Sequence, residues 1–137
     1  MENKLTNFLF NGVGVPTYQK YLDLASLRHK LISGNVANVS TPGYESRDID
    51  FQGEFKRATS AGSQLAGVTT HKAHIPTGNH EARAPKPIET KVQDGDMNSV
   101  DIDKEISNLA QNELRYTVGA TMLQRKFENL RKVIQSK

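Results

Sequence analysis

Apolar residues return every three or four positions along two stretches of this 137-residue chain, and they thin out between them. The first stretch, from about Thr17 to Val39, carries two adjacent stripes. Tyr21, Leu24, Arg28, Leu31, Asn35 and Asn38 make one. Tyr18, Leu22, Ala25, Ile32, Val36 and Val39 make the other. These spacings put both sets on one wide helical face. Pro16 stands at its start, where a missing N–H costs nothing. Gly34 lies inside this helix beside the small residues Ser33 and Ala37. A helical glycine costs about 1 kcal/mol against alanine, which close approach of a second helix would offset.

The second stretch, from about Asp101 to Gln135, has a stricter period. Ile102, Leu109, Tyr116, Leu123 and Leu130 repeat every seven residues. Ile106, Ala120, Phe127 and Ile134 do the same in the complementary position, and Glu113 breaks that series. Sustained heptads predict a coiled-coil seam. Ser99, Asp101, Asp103 and Glu105 crowd the helix start, as capping and the helix dipole favour. The N-terminal helix is the first partner for this seam. The expected fold is mainly α: two long terminal helices packed as a coiled coil, joined by an extended, partly disordered or short-stranded middle.

The first helix has a built stop. Pro42 pushes Thr41 out of the α region, and Gly43 suits the position of a type II turn that needs positive φ. Asn35 and Asn38 lie one turn apart and could hold carbonyls at the helix end. Tyr44 follows as an aromatic anchor. The run Asn35-Val36-Ala37-Asn38-Val39-Ser40-Thr41-Pro42-Gly43-Tyr44 resembles the signature of bacterial flagellar rod and hook proteins. The continuation Arg47-Asp48-Ile49-Asp50-Phe51 is similar to that of a proximal rod member, and Asn112 to Tyr116 resemble the family's C-terminal helix.

The resemblance implies a structural subunit of the basal-body rod. Its terminal helices would polymerise, with Leu24, Leu31, Leu109, Tyr116, Leu123 and Phe127 packing between helices. Asn35, Asn38, Thr41, Pro42, Gly43 and Tyr44 would fix the turn and its contacts to the next subunit. Arg47, Asp48 and Phe51 would dock the following segment. Implied partners are other rod subunits, further copies of the chain, the adaptor joining rod to membrane ring, and the flagellar type III export gate. An apolar lead, Leu5, Phe8, Leu9 and Phe10, would serve export; local packing is the other reading of those residues. A cytosolic coiled-coil adaptor or chaperone-like module would share the seam but leave Thr-Pro-Gly-Tyr unexplained.

Segments follow from these patterns: a lead at 1–16, helix plus turn and docking segment at 17–51, a middle at 52–98, and the C-terminal helix at 99–137. The middle is rich in Gly and Pro and poor in large apolar residues, with short strands possible near 66–70 and 88–92. Hydrophobic content is 36%, low for a large autonomous core. The net charge of +3 is small, and the basic residues of the last helix form no clustered nucleic-acid face. With no cysteine, thiol chemistry and disulfides are excluded. No basic n-region precedes a long apolar run, so no Sec signal is expected at the N-terminus.

Candidate chemistry is thin. His71-x-x-His74 with His80 sits in a Gly/Pro context that disfavours a metal-binding helix. Asp94-Gly95-Asp96-Met97-Asn98 has its glycine misplaced for a calcium loop and lacks the closing Glu. It reads as a turn plus a helix cap. Asp48 and Asp50 suit ion pairing better than acid–base work. No nucleophile elbow, phosphate loop or metalloprotease motif occurs. No enzyme activity, cofactor, small-molecule substrate or nucleic-acid partner is expected.

Overall fold

The computed structural model describes residues 14–60, 84–93 and 95–135. The first long helix, α1, spans Val15–Ala37. A three-residue strand, β1 (Ser46–Asp48), follows, then a short helix, α2 (Phe51–Ser60). Strand β2 (Ile88–Thr90) comes next, and α3 (Ile102–Gln135) closes the chain. The two long helices lie antiparallel: Asn35 contacts Glu105, Ala25 contacts Asn112, and Tyr21 and Leu22 meet Gly119.

α1 is the central element, and α3, β1 and α2 all pack against it. It begins at Gly14, which has φ 75°, with Pro16 in the first turn. Its end two residues before Val39 reflects Asn38, whose backbone N–H bonds back to Gly34 and Asn35. α3 starts under Asp101, whose Oδ1 accepts the N–H groups of Asp103 and Lys104 at 3.1 and 3.2 Å. These bonds satisfy donors that have no intrahelical partner.

The core is small. Leu24 and Ala25 from α1 meet Ile49 and Phe51, and Tyr21, Leu27, Leu31 and Phe55 pack around them. Tyr21 meets the rings of Phe51 and Phe55 edge-on, at centroid distances of 5.1 and 5.4 Å. Such edge-to-face contacts set the positive ring edge against the negative face. The Arg115 guanidinium covers Phe51 at 5.4 Å, so α3 also closes over this cluster.

β2 falls within the segment expected to hold a strand near 88–92. It pairs antiparallel with β1, Arg47 opposite Glu89. The start of the middle segment differs from the extended expectation, because Phe51–Ser60 is helical. Asp50 caps it, its Oδ1 accepting Gly53 N–H at 3.0 Å. Gly53, which reads as a breaker, is the residue that fits there: a Cβ would collide with the Asp50 carboxylate. Phe51 and Phe55, one turn apart, give this helix its inward face.

The expected site of helix–helix approach also moves. A Cβ on Gly34 would meet only the Tyr44 hydroxyl, at 3.8 Å. The close approach is at Gly119 of α3, where a Cβ would lie 2.9 Å from Tyr21 Cδ1 and 3.2 Å from Leu22 Cδ2. Leu5, Phe8, Leu9, Phe10, the strand expected near 66–70, His71, His74, His80 and Asp94 lie outside the described residues.

Candidate assembly interface

The end of α1 presents a polar hub. Asn35 is 1% exposed. Its Oδ1 accepts Arg47 N–H at 2.9 Å and the Tyr44 hydroxyl at 3.3 Å. Its Nδ2 donates to Arg47 O at 2.9 Å and to Glu105 Oε2 at 3.1 Å. Both donors and both acceptor positions of the amide are thus used. Bonding to both the N–H and the C=O of one residue lets this side chain stand in for a neighbouring strand on the edge of β1 that β2 leaves open. The same amide joins α1, β1 and the first turn of α3.

Asn38 does what a helix-end amide is expected to do. Its Nδ2 donates to Gly34 O at 2.8 Å, and its Oδ1 accepts the Thr41 hydroxyl at 3.1 Å. Pro42 and Gly43 form the turn, closed by Tyr44 N–H to Thr41 O at 3.3 Å. Gly43 has φ 72°, a conformation that a Cβ would strain. The Tyr44 hydroxyl, bonded to Asn35, folds the chain back onto α1.

A second segment clamps this turn. Gly43 N–H bonds to Met97 O at 2.7 Å, and Ser99 N–H to Tyr44 O at 3.1 Å. Asn98 Nδ2 reaches Val39 O and Thr41 O. Ser99 Oγ accepts Ser46 N–H at 2.8 Å and donates to Thr90 O at 2.7 Å. The run Met97–Ser99 is therefore the fastening of the turn as well as the approach to α3.

Beyond the turn, Arg28 and Asp48 form a two-pronged pair, Nε to Oδ1 at 2.8 Å and Nη2 to Oδ2 at 2.7 Å. Arg28 is mostly buried, its side chain 12% exposed against 41% for Asp48. Arg47 instead uses its side chain across the strand pair, on Glu89 at 3.0 Å. Phe51 enters the core. The docking expected of Arg47, Asp48 and Phe51 thus occurs within the subunit.

The heptad residues are distributed differently from the expected seam. α3 buries Glu105, Asn112 and Gly119, seven apart, on its α1-facing side. Leu24 is buried, while Leu31, Leu109 and Leu123 are half-buried. Tyr116 and Phe127 are exposed, at 46% and 44%. The inward line lies on the polar flank of the apolar stripe, because each inward residue has its own partner. Glu105 accepts from Asn35, Asn112 Nδ2 donates to Ala25 O at 2.8 Å, and Gly119 admits Tyr21. Glu113, the break in the series, is exposed beside a cleft with Ser26, His29 and Thr117.

Sequence reasoning passed over Glu105, Asn112, Asn98 and Ser99 as interior or clamping residues. The seven-residue spacing of Glu105, Asn112 and Gly119 was the available signal. Hydrophobic periodicity does not mark it, because none of its three members is a large apolar residue. Among the described residues there is no helix long and apolar enough to cross a membrane.

A long antiparallel helix pair, a turn locked by side-chain amides, and apolar positions left open along α3 define a helical structural subunit. No family model matches the chain. It is 34% identical to the flagellar basal body rod protein FlgB of Salmonella typhimurium over 124 residues, spanning 85% of this chain and 89% of that relative. The FlgB proteins of Escherichia coli and Aquifex aeolicus are 32% and 30% identical, covering 86% and 94% of this chain and 90% and 97% of their own. The chain belongs to the FlgB family of flagellar basal body rod proteins. It is a structural component of the flagellar basal-body rod and associates with other rod and basal-body components.

Proposed function

We propose that this chain builds the proximal end of the rod, polymerising through its terminal helices and linking the membrane ring to the rest of the rod. Its direct neighbours are other rod subunits, further copies of itself, and the adaptor that joins rod to ring. It reaches its place through the flagellar type III export gate, with Leu5, Phe8, Leu9 and Phe10 as the recognised lead. It has no catalytic role, cofactor or small-molecule substrate.

The observation that carries this reading is the apolar surface on α3. Ile102, Ile106, Leu114, Tyr116, Phe127 and Ile134 are all exposed. Burying a side chain of this size contributes about 1.5–3 kcal/mol, which the single subunit forgoes. Ordering the backbone costs about 1–2 kcal/mol per residue. Contacts between subunits supply the missing burial, so folding is completed by assembly. The exposed corner Thr41-Pro42-Gly43, held rigid by Asn35, Asn38 and Tyr44, meets the next subunit.

Deletion of the gene, with basal bodies imaged by electron cryotomography, tests the reading. Membrane rings without a rod, restored by the wild-type copy, are expected. Complete rods in the deletion strain would overturn it. In the same strain Leu123→Asp sets a charge in the groove between Leu22, Ala120 and Phe127 and is expected to abolish incorporation.

A further inference from the structure

Resting on the rod-subunit reading above, we propose that α3 carries two lateral faces complementary to each other. A second copy docks beside the first, parallel to it and displaced by twelve residues. One face holds Ile102, Ile106 and Glu113. The other holds Leu114, Val118 and Arg125. Each residue of the second face follows its counterpart by twelve positions. At 3.6 residues per turn and 1.5 Å per residue, this interval is a rotation of about 120° and a rise of about 18 Å. A parallel copy beside the first, turned by about 60° so that the two faces oppose and shifted along the axis by about 18 Å, sets Leu114 against Ile102, Val118 against Ile106, and Arg125 against Glu113. The order of the residues runs the same way on both faces, so the match holds for parallel helices and is lost for antiparallel ones.

Both faces are open in the subunit. Ile106 and Val118 are 54% and 45% exposed, and Ile102 and Leu114 are exposed as well. Glu113 and Arg125 are exposed and make no ion pair among the described residues. The faces flank the inward line of Glu105, Asn112 and Gly119 on opposite sides. Between them, away from α1, lie the small polar residues Thr117 and Thr121. One partner cannot cover both flanks. A contact between two different faces of the same chain is heterologous and propagates into a ring or a helical filament. The occupant is a second copy because both halves of the match, apolar and charged, are written in one helix at one constant interval.

The absence of cysteine from the chain makes disulfide trapping a clean test. The full-length chain carrying Ile106→Cys and Val118→Cys is expressed as the sole copy, and basal bodies are purified and oxidised. Within one helix the two thiols are about 18 Å apart, too far for an internal disulfide. Denaturing gels should show dimers and higher multiples of 15.2 kDa from the double variant, and monomer alone from each single variant. Ile102→Cys with Leu114→Cys, at the same interval, should behave alike, whereas Ile106→Cys with Leu114→Cys should stay monomeric.

A dimer from either single variant would mean a self-matching face and overturn the proposal. So would monomer from both twelve-residue pairs in basal bodies that contain the chain, or cross-links only to a different protein. If neither pair incorporates, charge exchange decides. Glu113→Arg and Arg125→Glu should each lower incorporation at least threefold, and the double exchange should restore it; no restoration overturns the proposal. Absence of the wild-type chain from basal bodies would sink the rod reading itself, whereas its presence without the expected cross-links sinks the lateral match alone.

Discussion

Asn35 shows how much of this turn rests on a single amide. Its donor faces Arg47 O and the Glu105 carboxylate, and its acceptor faces Arg47 N–H and the Tyr44 hydroxyl. Asn35→Asp keeps the size and the acceptor but turns the donor into a charged oxygen against a carbonyl and a carboxylate. Removing a partner from a buried polar group costs about 1–3 kcal/mol, and an uncompensated charge costs more. The near-isosteric Asp variant is therefore expected to destabilise at least as much as Asn35→Ala, by about 3 kcal/mol. Thermal unfolding of the full chain followed by circular dichroism reads this out. A tolerated Asp would show that shape, and not this bonding pattern, holds the turn. Arg28 offers a milder case. Arg28→Lys keeps the charge but loses the fork that matches Asp48, and Lys is not a substitute at a bidentate site. Because Asp48 is partly exposed, the expected loss is about 1 kcal/mol, in the same melt.

Among the elements, α1 and α3 meet over a line that hydrophobicity alone does not reveal. Gly119→Ala poses two opposed effects. Alanine gains about 1 kcal/mol of helix propensity over glycine. The added Cβ falls 2.9 Å from Tyr21 Cδ1, and overpacking costs about 1–3 kcal/mol. Tyr21 also touches Phe51 and Phe55, so it has little room to yield. The clash is expected to win, lowering the melting temperature, and Gly119→Leu should lower it further. An unchanged or raised melting temperature for Gly119→Ala would place the close approach elsewhere. The helices and the Pro42–Gly43 turn were legible because periodicity and breaker chemistry are local. Two features were not. α2 was hidden by Gly53, whose fit depends on the Asp50 carboxylate. The inward line Glu105–Asn112–Gly119 was hidden because each member answers to a residue on another element: Asn35, Ala25 and Tyr21. Likewise Asn98 and Ser99 read locally as a cap, and their role as clamp exists only once the turn folds back onto them.

At the scale of the whole molecule, the two long helices are unequal, and among the described residues the difference leaves the far end of α3 without a partner helix. α1 has 23 residues and α3 has 34, or about 35 and 51 Å at 1.5 Å per residue. Their near ends are aligned by Asn35 and Glu105, so α3 runs about 16 Å past the start of α1. The last turns of α3 carry Phe127, Val133 and Ile134, all exposed. Helical amides in a region with few buried contacts open by local fraying, not by global unfolding. Hydrogen exchange in the isolated chain should therefore be graded along α3. Amides from about Glu105 to Gly119, held by the α1 interface, should exchange slowest. Those from about Glu128 to Gln135 should exchange at least tenfold faster. In assembled basal bodies the gradient should flatten, since on the proposed function neighbouring subunits cover the overhang. Equal protection along α3 in the isolated chain would mean that the subunit completes itself without neighbours. The coupling of folding to assembly would then be lost as an explanation for its open apolar faces.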